Sequence, residues 1–138
     1  MIVLDTNVVS EMLRSRADSR VVEWLDRQRI EECYLTSVNV AELTYGVARL
    51  PAGRRRDALA AGLTVILEDD FAGRILPFDL AAAQAYALLV TDRERRGRPI
   101  SGFDAQRASI CWVHSAQLAT RNVRDFDGLD IEVVNPWA

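Results

Sequence analysis

The sequence predicts an α/β fold in which helices cover both faces of a short parallel sheet of four or five strands. The chain has 138 residues, a length typical of one domain, and we expect a single domain over residues 1–138. Its composition, 49% hydrophobic and 27% charged, excludes a disordered tail, a collagen-like repeat and a coiled coil. Short apolar runs alternate with helical periodicity, which is typical of a parallel sheet in a three-layer α/β/α arrangement.

The first half of the chain contains two predicted strands and three predicted helices. Ile2–Leu4 is apolar, partly β-branched and too short for a helix, which favours a buried strand. Pro51 ends the third helix because proline disfavours helical geometry in the residue before it. In order, the elements are a strand at Ile2–Leu4, a helix from Thr6, a helix that Asp18 or Ser19 caps and that ends near Arg29, a strand at Tyr34–Thr36, and a helix from Val38 to Leu50 that Ser37 caps.

The second half contains three predicted strands and three helical stretches. Pro77 cannot donate a ladder hydrogen bond, so its strand is expected at an edge of the sheet. Gly97 and Pro99 end the longest helix. In order, the elements are a mostly helical stretch from Gly53 to Gly73, a strand at Ile75–Phe78, a helix from Asp79 to Arg96, a helix from Ser101 or Asp104 to His114, a strand at Ala116–Thr120, a turn or brief helix at Val123–Phe126, and a strand at Ile131–Val134.

The sequence favours a cytoplasmic protein. The longest apolar stretches are far shorter than the ~18 residues of a membrane span, and no signal peptide precedes Asp5. Cys33 and Cys111 lie among apolar residues without metal-ligand spacing, which indicates reduced, partly buried thiols. Trp24 and Trp112 have apolar helical neighbours and are predicted core residues.

Charge is distributed unevenly along the chain. The formal net charge of −3 excludes a global field that attracts nucleic acid. All 17 basic residues are arginine, whose planar guanidinium can bind phosphate through two hydrogen bonds. Two clusters lie at Arg54–Arg56 and at Arg93, Arg95, Arg96 and Arg98. Each is interpreted first as a solvated helix end or face, and second as a contact for phosphate groups.

Four acidic residues are predicted to converge at the carboxyl ends of the strands. Asp5 directly follows the first strand, and Glu42 lies one turn into the helix after the second. Asp104 starts a helix, and Asp125 lies just past the strand at Ala116–Thr120. Open parallel sheets form their sites at this end, where the strand order switches. The structural alternatives are helix caps at Asp5 and Asp104 and a surface turn at Asp125.

A cluster of carboxylates favours a hard divalent cation. Mg²⁺ and Mn²⁺ select oxygen ligands, and either ion can activate water and stabilise charge during phosphodiester cleavage. Glu42 lies on a predicted apolar face, where its carboxylate needs a compensating cation or donor. With His114 as the only histidine, zinc or Cys–His chemistry is the weaker option. Small polar residues beside the acids are suited to hold a carboxylate or orient a water, namely Thr6, Asn7, Thr120 and Asn122.

Four segments resemble the motifs of PIN-domain ribonucleases, in the same order and across the whole chain. They are Leu4–Glu11, Val40–Leu43, Phe103–Gln106 and Ala119–Phe126. The ending Val133–Trp137 is similar to that of the FitB-like branch of VapC toxins. The resemblance implies a PIN fold and an Mg²⁺- or Mn²⁺-dependent endoribonuclease. It also implies the toxin of a type II toxin–antitoxin pair, with transfer RNA as the favoured substrate class.

The resemblance also implies residue roles and partners. Asp5, Glu42, Asp104 and Asp125 take the acidic positions of the family, with Asp5 and Asp104 as direct metal ligands. Some relatives have an acid where Asn122 stands, so the fourth acidic role stays open between Asn122 and Asp125. Family members form homodimers and bind a small VapB/FitA-like antitoxin that occludes the acidic pocket and carries the contacts to operator DNA.

Two other functions stay open for the sequence alone. A non-catalytic PIN-like module would bind RNA or protein without cutting, although the presence of all four acids argues against it. A small-molecule phosphohydrolase on a similar scaffold is supported by fold analogy only. One departure from the family lies at Trp112, where relatives carry a smaller residue and where local packing is expected to differ.

Overall fold

Five short parallel strands form one sheet in the computed structural model, which describes residues 1–138. The strands are β1 (Ile2–Leu4), β2 (Cys33–Thr36), β3 (Ile75–Leu76), β4 (Gln117–Ala119) and β5 (Val133–Val134). Their order across the sheet is β3-β2-β1-β4-β5, and all neighbouring pairs are parallel. The strand order therefore switches direction between β1 and β4. The prediction of an edge strand beside Pro77 is confirmed, because β3 pairs only with β2.

Six α-helices surround the sheet. They are α1 (Thr6–Met12), α2 (Ser19–Asp26), α3 (Ser37–Ala48), α4 (Arg54–Val65), α5 (Leu80–Arg95) and α6 (Gly102–His114). Short 3₁₀ turns lie at Ile30–Glu32 and Val123–Phe126, and α4 continues into a π-helical turn at Ile66–Asp70.

The core is divided between the two faces of the sheet. Alternate side chains of a strand point to opposite faces. Leu4 of β1 belongs to the larger cluster, which includes Val8 and Val21 of α1 and α2 and Leu63 of α4. Val3 belongs to the cluster on the other face, together with residues of α6 and β4. The predicted three-layer α/β/α class is confirmed.

Most predicted helix starts agree with the structure, and the exceptions have identifiable causes. Asp18, Asp79 and Ser101 cap α2, α5 and α6. The cap of α3 is Thr36 and not Ser37, because the Thr36 hydroxyl accepts the N–H of Asn39 while the Asn39 side chain accepts the N–H of Thr36. This reciprocal pair satisfies two free backbone groups at once.

Several predicted elements are longer than the elements in the structure. The second helix ends at Asp26 and not near Arg29, because a 3₁₀ turn follows at Ile30–Glu32. The last strand covers only Val133–Val134, which pair with Leu118 and Ala119 of β4.

Trp112 is 48% exposed and is not a core residue. No helix is long and apolar enough to cross a membrane.

Candidate active site

The end of β1 positions the first carboxylate. Asp5 caps α1, and its Oδ1 accepts the N–H of Thr6 at 2.6 Å. Its own N–H donates to the carbonyl of Ala119, which extends the pairing of β1 with β4 by one residue. The Thr120 hydroxyl, just past β4, donates to Asp5 Oδ2 at 2.7 Å. Asp5 is therefore fixed at the point where the strand order switches, and only 4% of it is exposed.

Two polar residues link the second carboxylate, on α3, to the same strand end. The Thr6 hydroxyl donates to Glu42 Oε1 at 2.9 Å. Asn39 is fully buried one turn earlier on α3, and its amide donates to the carbonyl of Leu4 at 2.9 Å and to Thr6 Oγ1 at 3.3 Å. Asn39 thereby fixes α3 against the end of β1 and orients the hydroxyl that holds Glu42.

A buried arginine lies among the carboxylates. Arg107 of α6 has a side chain only 1% exposed, and its Nη1 lies 2.9 Å from Asp104 Oδ1 in an i,i+3 pair. Its Nη2 contacts Glu42 Oε1, and its Nε lies 3.1 Å from Asp5 Oδ1. The Nε–H is not aligned with an acceptor, so the contact with Asp5 is an ion pair without a hydrogen bond. This guanidinium is the compensating cation that the position of Glu42 demanded.

The third and fourth carboxylates differ in their surroundings. Asp104 lies in the first turn of α6 and is half-buried, whereas Asp125 is exposed on the 3₁₀ turn after β4. The two line one cleft, beside the cleft that holds Asp5 and Glu42. Burial raises the pKa of the Asp104 carboxyl, and the nearby charges of Asp5 and Asp125 raise it further, while Ser101 opposes the shift. The ion pair with Arg107 favours the ionised form of Asp104.

The smaller polar residues have unequal roles. Asn7 donates to Thr120 Oγ1 at 3.4 Å, and its Oδ1 accepts the N–H of Arg121. Asn122 contributes its backbone N–H to Thr120 Oγ1 at 3.1 Å, and the residue itself is exposed. Thr120 is thus the centre of a small network whose strongest contact is with Asp5.

The donor atoms suit a hard divalent cation, but their arrangement is shaped by Arg107. All the acidic side chains offer carboxylate oxygens, which Mg²⁺ and Mn²⁺ prefer. No group of three or more histidine, cysteine, aspartate or glutamate side chains is arranged to hold one metal ion. The reason is that Asp5, Glu42 and Asp104 each face a different nitrogen of the same guanidinium. Mg²⁺ commonly takes only one or two carboxylates and keeps its other ligands as water, so the oxygen set remains suitable.

Two site residues were not anticipated from the sequence. Arg107 was overlooked, although it is an isolated charge between Ala105 and Ala108 and lies three residues after Asp104. That spacing places both side chains on one helix face and was an available signal. Asn39 was also overlooked, and its signal was its position three residues after Thr36 at a strand end.

The remaining reactive side chains lie elsewhere. Cys33 and Cys111 are free and buried, as predicted, and burial raises the pKa of Cys111 to about 12. His114 is exposed at the end of α6, away from the carboxylates. The acidic clefts are therefore the place where the chain concentrates polar groups suited to chemistry.

Comparison with known proteins agrees with this geometry. A family model described as PIN domain matches residues 2–132. The chain belongs to the PIN-domain family. It is 40% identical to the VapC ribonuclease Y4jK of Sinorhizobium fredii (strain NBRC 101917 / NGR234), over 99% of this chain and 98% of that protein. It is 42% identical to the Toxin FitB of Neisseria gonorrhoeae (strain ATCC 700825 / FA 1090), over 99% of both chains.

A solved structure has the same PIN-domain architecture. The structure described as FitAB bound to an IR36 DNA fragment superposes with a TM-score of 0.94 and 40% identity, over 100% of this chain and 96% of that chain. The resemblance of the sequence to PIN-domain ribonucleases of the VapC and FitB type is confirmed. The PIN-domain match also includes every candidate site residue named above.

Proposed function

We propose that the protein is a metal-dependent endoribonuclease that acts as the toxin of a type II toxin–antitoxin pair. The observation that carries the proposal is the convergence of Asp5, Glu42 and Asp104 at the switch point of a PIN-domain sheet. Relatives that match nearly the whole chain are named a ribonuclease and a toxin. Transfer RNA is the substrate class that we favour.

We assign the metal to the carboxylates of this edge. Asp5 and Asp104 are the proposed direct ligands of Mg²⁺, or of Mn²⁺, while Glu42 and Asp125 complete the acidic surroundings. When bound, the ion would supply Lewis-acid stabilisation of the phosphate charge and lower the pKa of an attacking water. Thr120 and Thr6 hold Asp5 and Glu42 through the hydroxyl contacts described above, which fixes the carboxylate orientation before RNA binds.

Arginines at the rim offer a path for the RNA backbone. Arg98 and Arg124 are exposed and line the same cleft as Asp104 and Asp125. Arg121 is exposed at the mouth of the neighbouring acidic cleft. A phosphate backbone that crosses both clefts would meet cations on either side of the carboxylates, and guanidinium groups bind phosphates well.

The proposed partners follow from the family. A structure with high similarity contains FitAB with a DNA fragment, and we propose that this chain binds a VapB/FitA-like antitoxin that covers the acidic cleft and carries the operator contacts. We further propose a homodimer that works in the cytoplasm. The −3 net charge supports DNA contact through the antitoxin, because the chain has no strong cationic field of its own.

The test is cleavage of total bacterial RNA by purified protein free of antitoxin, in Mg²⁺ or Mn²⁺ and in EDTA. We expect discrete bands that require metal and that Asp5→Asn reduces to the level of the EDTA sample. An exposed carboxylate remote from the clefts, Glu23→Gln, is the matched control, with the same charge change and full expected activity. Folding of each variant is checked by circular dichroism.

One observation favours a second function, a non-catalytic PIN-like module that binds RNA or protein. Arg107 already neutralises part of the carboxylate charge without any metal. Intact RNA after incubation with folded, metal-loaded protein, together with normal growth when the chain is expressed alone, would favour this module over the nuclease.

A further inference from the structure

Arg107 uses all three nitrogens of its guanidinium on the acids of the candidate site. Its Nε, Nη1 and Nη2 face Asp5, Asp104 and Glu42 respectively, and the side chain is 1% exposed. Arg107 cannot rotate out to solvent without breaking its contacts with these carboxylates. The guanidinium is therefore a built-in cation at the centre of the carboxylates.

Both oxygens of Asp5, and the oxygens of Glu42 and Asp104 that face Arg107, already have partners. Asp5 Oδ1 accepts from Thr6 N–H and faces Arg107, while its Oδ2 accepts the Thr120 hydroxyl. Glu42 Oε1 accepts from both the Thr6 hydroxyl and Arg107. A divalent ion that binds Asp5 must therefore share or replace a contact that already exists.

The guanidinium also weakens the attraction of the site for the ion. The carboxylates of Asp5, Glu42 and Asp104 carry three negative charges, of which Arg107 balances one. A divalent ion about 5 Å from a guanidinium is repelled strongly enough to weaken its binding about tenfold, even at the dielectric constant of water. The effect is larger in a partly buried cleft, where the effective dielectric constant is lower.

We propose that Arg107 competes with the divalent ion for Asp5, Glu42 and Asp104, so that metal binding requires the guanidinium to release at least one carboxylate. The competition rests on the proposed metal-dependent function. The competition lowers the affinity of the free protein for the metal ion. At low metal concentration, Arg107 holds the three carboxylates together. Arg107 acts here as a positioning residue and not as a group that contacts the reacting atoms.

The test is the affinity for Mn²⁺, measured by titration calorimetry and by the electron paramagnetic resonance signal of free Mn²⁺. We expect Arg107→Met to bind Mn²⁺ about tenfold more tightly than the wild type, or better, because the repulsion is gone. Arg107→Lys keeps the positive charge and should stay close to the wild type. An unchanged or weaker affinity of Arg107→Met would overturn the competition.

Arg121→Met is the matched control. Arg121 lines the same cleft and is exposed, and its guanidinium lies over the Trp137 ring at 5.3 Å instead of on the acids. Its removal changes the net charge by the same amount as the removal of Arg107. Because Arg121 does not contact the carboxylates, we expect only a minor gain in Mn²⁺ affinity. A gain as large as that of Arg107→Met would assign the effect to overall charge and overturn the proposal.

A second measurement uses only the wild-type protein, so it does not depend on the folding of a variant that lacks Arg107. In the wild type, nuclear magnetic resonance of the arginine guanidinium N–H groups, both Nε–H and Nη–H, follows Arg107 during addition of Mg²⁺. We expect its proton exchange with water to accelerate as carboxylate contacts loosen, and an unchanged exchange rate at saturating Mg²⁺ contradicts the competition. Equal Mn²⁺ binding by all variants together with metal-dependent RNA cleavage would refute only this inference, whereas absence of Mn²⁺ binding in every variant would refute the proposed metal site too.

Discussion

Arg107 and Arg93 are both buried arginines on neighbouring helices, but they have opposite kinds of partner. Arg107 on α6 faces three carboxylate side chains, whereas Arg93 on α5 donates to three backbone carbonyls. The acceptors of Arg93 are the carbonyls of Arg98, Asp127 and Asp125, at 2.8 to 3.2 Å. They belong to the loop after α5 and to the turn after β4.

Arg93 stabilises the fold, whereas Arg107 belongs to the candidate site. Carbonyl oxygens are neutral and do not titrate, so the contacts of Arg93 fix two loops to one helix. The partners of Arg107 are charged groups that cluster only because β1, α3 and α6 meet there. Removing Arg107 therefore changes the electrostatics of the cleft, whereas removing Arg93 changes the anchoring of its neighbours.

The largest effect on stability is expected for Arg107→Met in metal-free protein. The substitution leaves Asp5 buried and two half-buried carboxylates without their counter-ion, and breaking a buried pair in this way costs about 3–5 kcal/mol. Urea unfolding in EDTA, followed by circular dichroism, measures the free energy of unfolding. A loss no greater than that of Arg93→Met would contradict the distinction between the two arginines.

A smaller loss is expected for Arg93→Met. Its charge-assisted hydrogen bonds are lost, but the carbonyls of exposed residues can turn to water, so the free energy of unfolding should fall by about 1.5–3 kcal/mol. The same urea titration measures it. Because Arg93 contacts no carboxylate side chain, its variant should gain no more Mn²⁺ affinity than Arg121→Met, and a gain comparable to that of Arg107→Met would contradict the contrast.

The contrast also explains what the sequence could and could not reveal. The end of β1 was predicted correctly, and the end of β4 was predicted one residue too late. Asp18 and Ser101 were each one of two predicted caps, and all these features depend on neighbouring residues. The acids at Asp5, Glu42 and Asp104 were placed at one edge because parallel strands share their carboxyl ends. Family motifs added the order and the spacing.

Partners that come from distant parts of the chain were not predicted. Arg93 was interpreted as part of a solvated cluster, which is wrong, because it is buried and two of its three acceptor carbonyls lie more than thirty residues away. Arg107 was overlooked for the same reason. Its partner Asp5 lies about 100 residues before it in the sequence, and its partner Glu42 lies 65 residues before it. Trp112 was assigned to the core because helical periodicity does not show which neighbours cover a face.

The smallest effect is expected at an exposed pair, Asp18 and Arg20. Both the side chain and the backbone N–H of Arg20 donate to Asp18 at the start of α2, and these contacts lower the pKa of Asp18 to about 2. Because the folded-state pKa lies below the ordinary value of 3.8, the contribution is complete above about pH 5 and is lost as the pH falls through about 2. Solvent screens the pair, so its effect on the melting temperature should be smaller than that of either buried arginine.

Two variants separate the cap from the ion pair. Asp18→Asn keeps a side-chain acceptor for the helix end but cannot titrate, and Arg20→Gln keeps the backbone N–H while it removes the cation. We expect the melting temperature of the wild type to exceed that of Asp18→Asn slightly at about pH 6, and the two values to converge only as the pH falls through about 2. A difference that persists at low pH would mean that carboxylate charge does not stabilise this helix start. Since an exposed arginine can exchange its partner for water and a buried one cannot, burial decides how much each arginine matters to this fold.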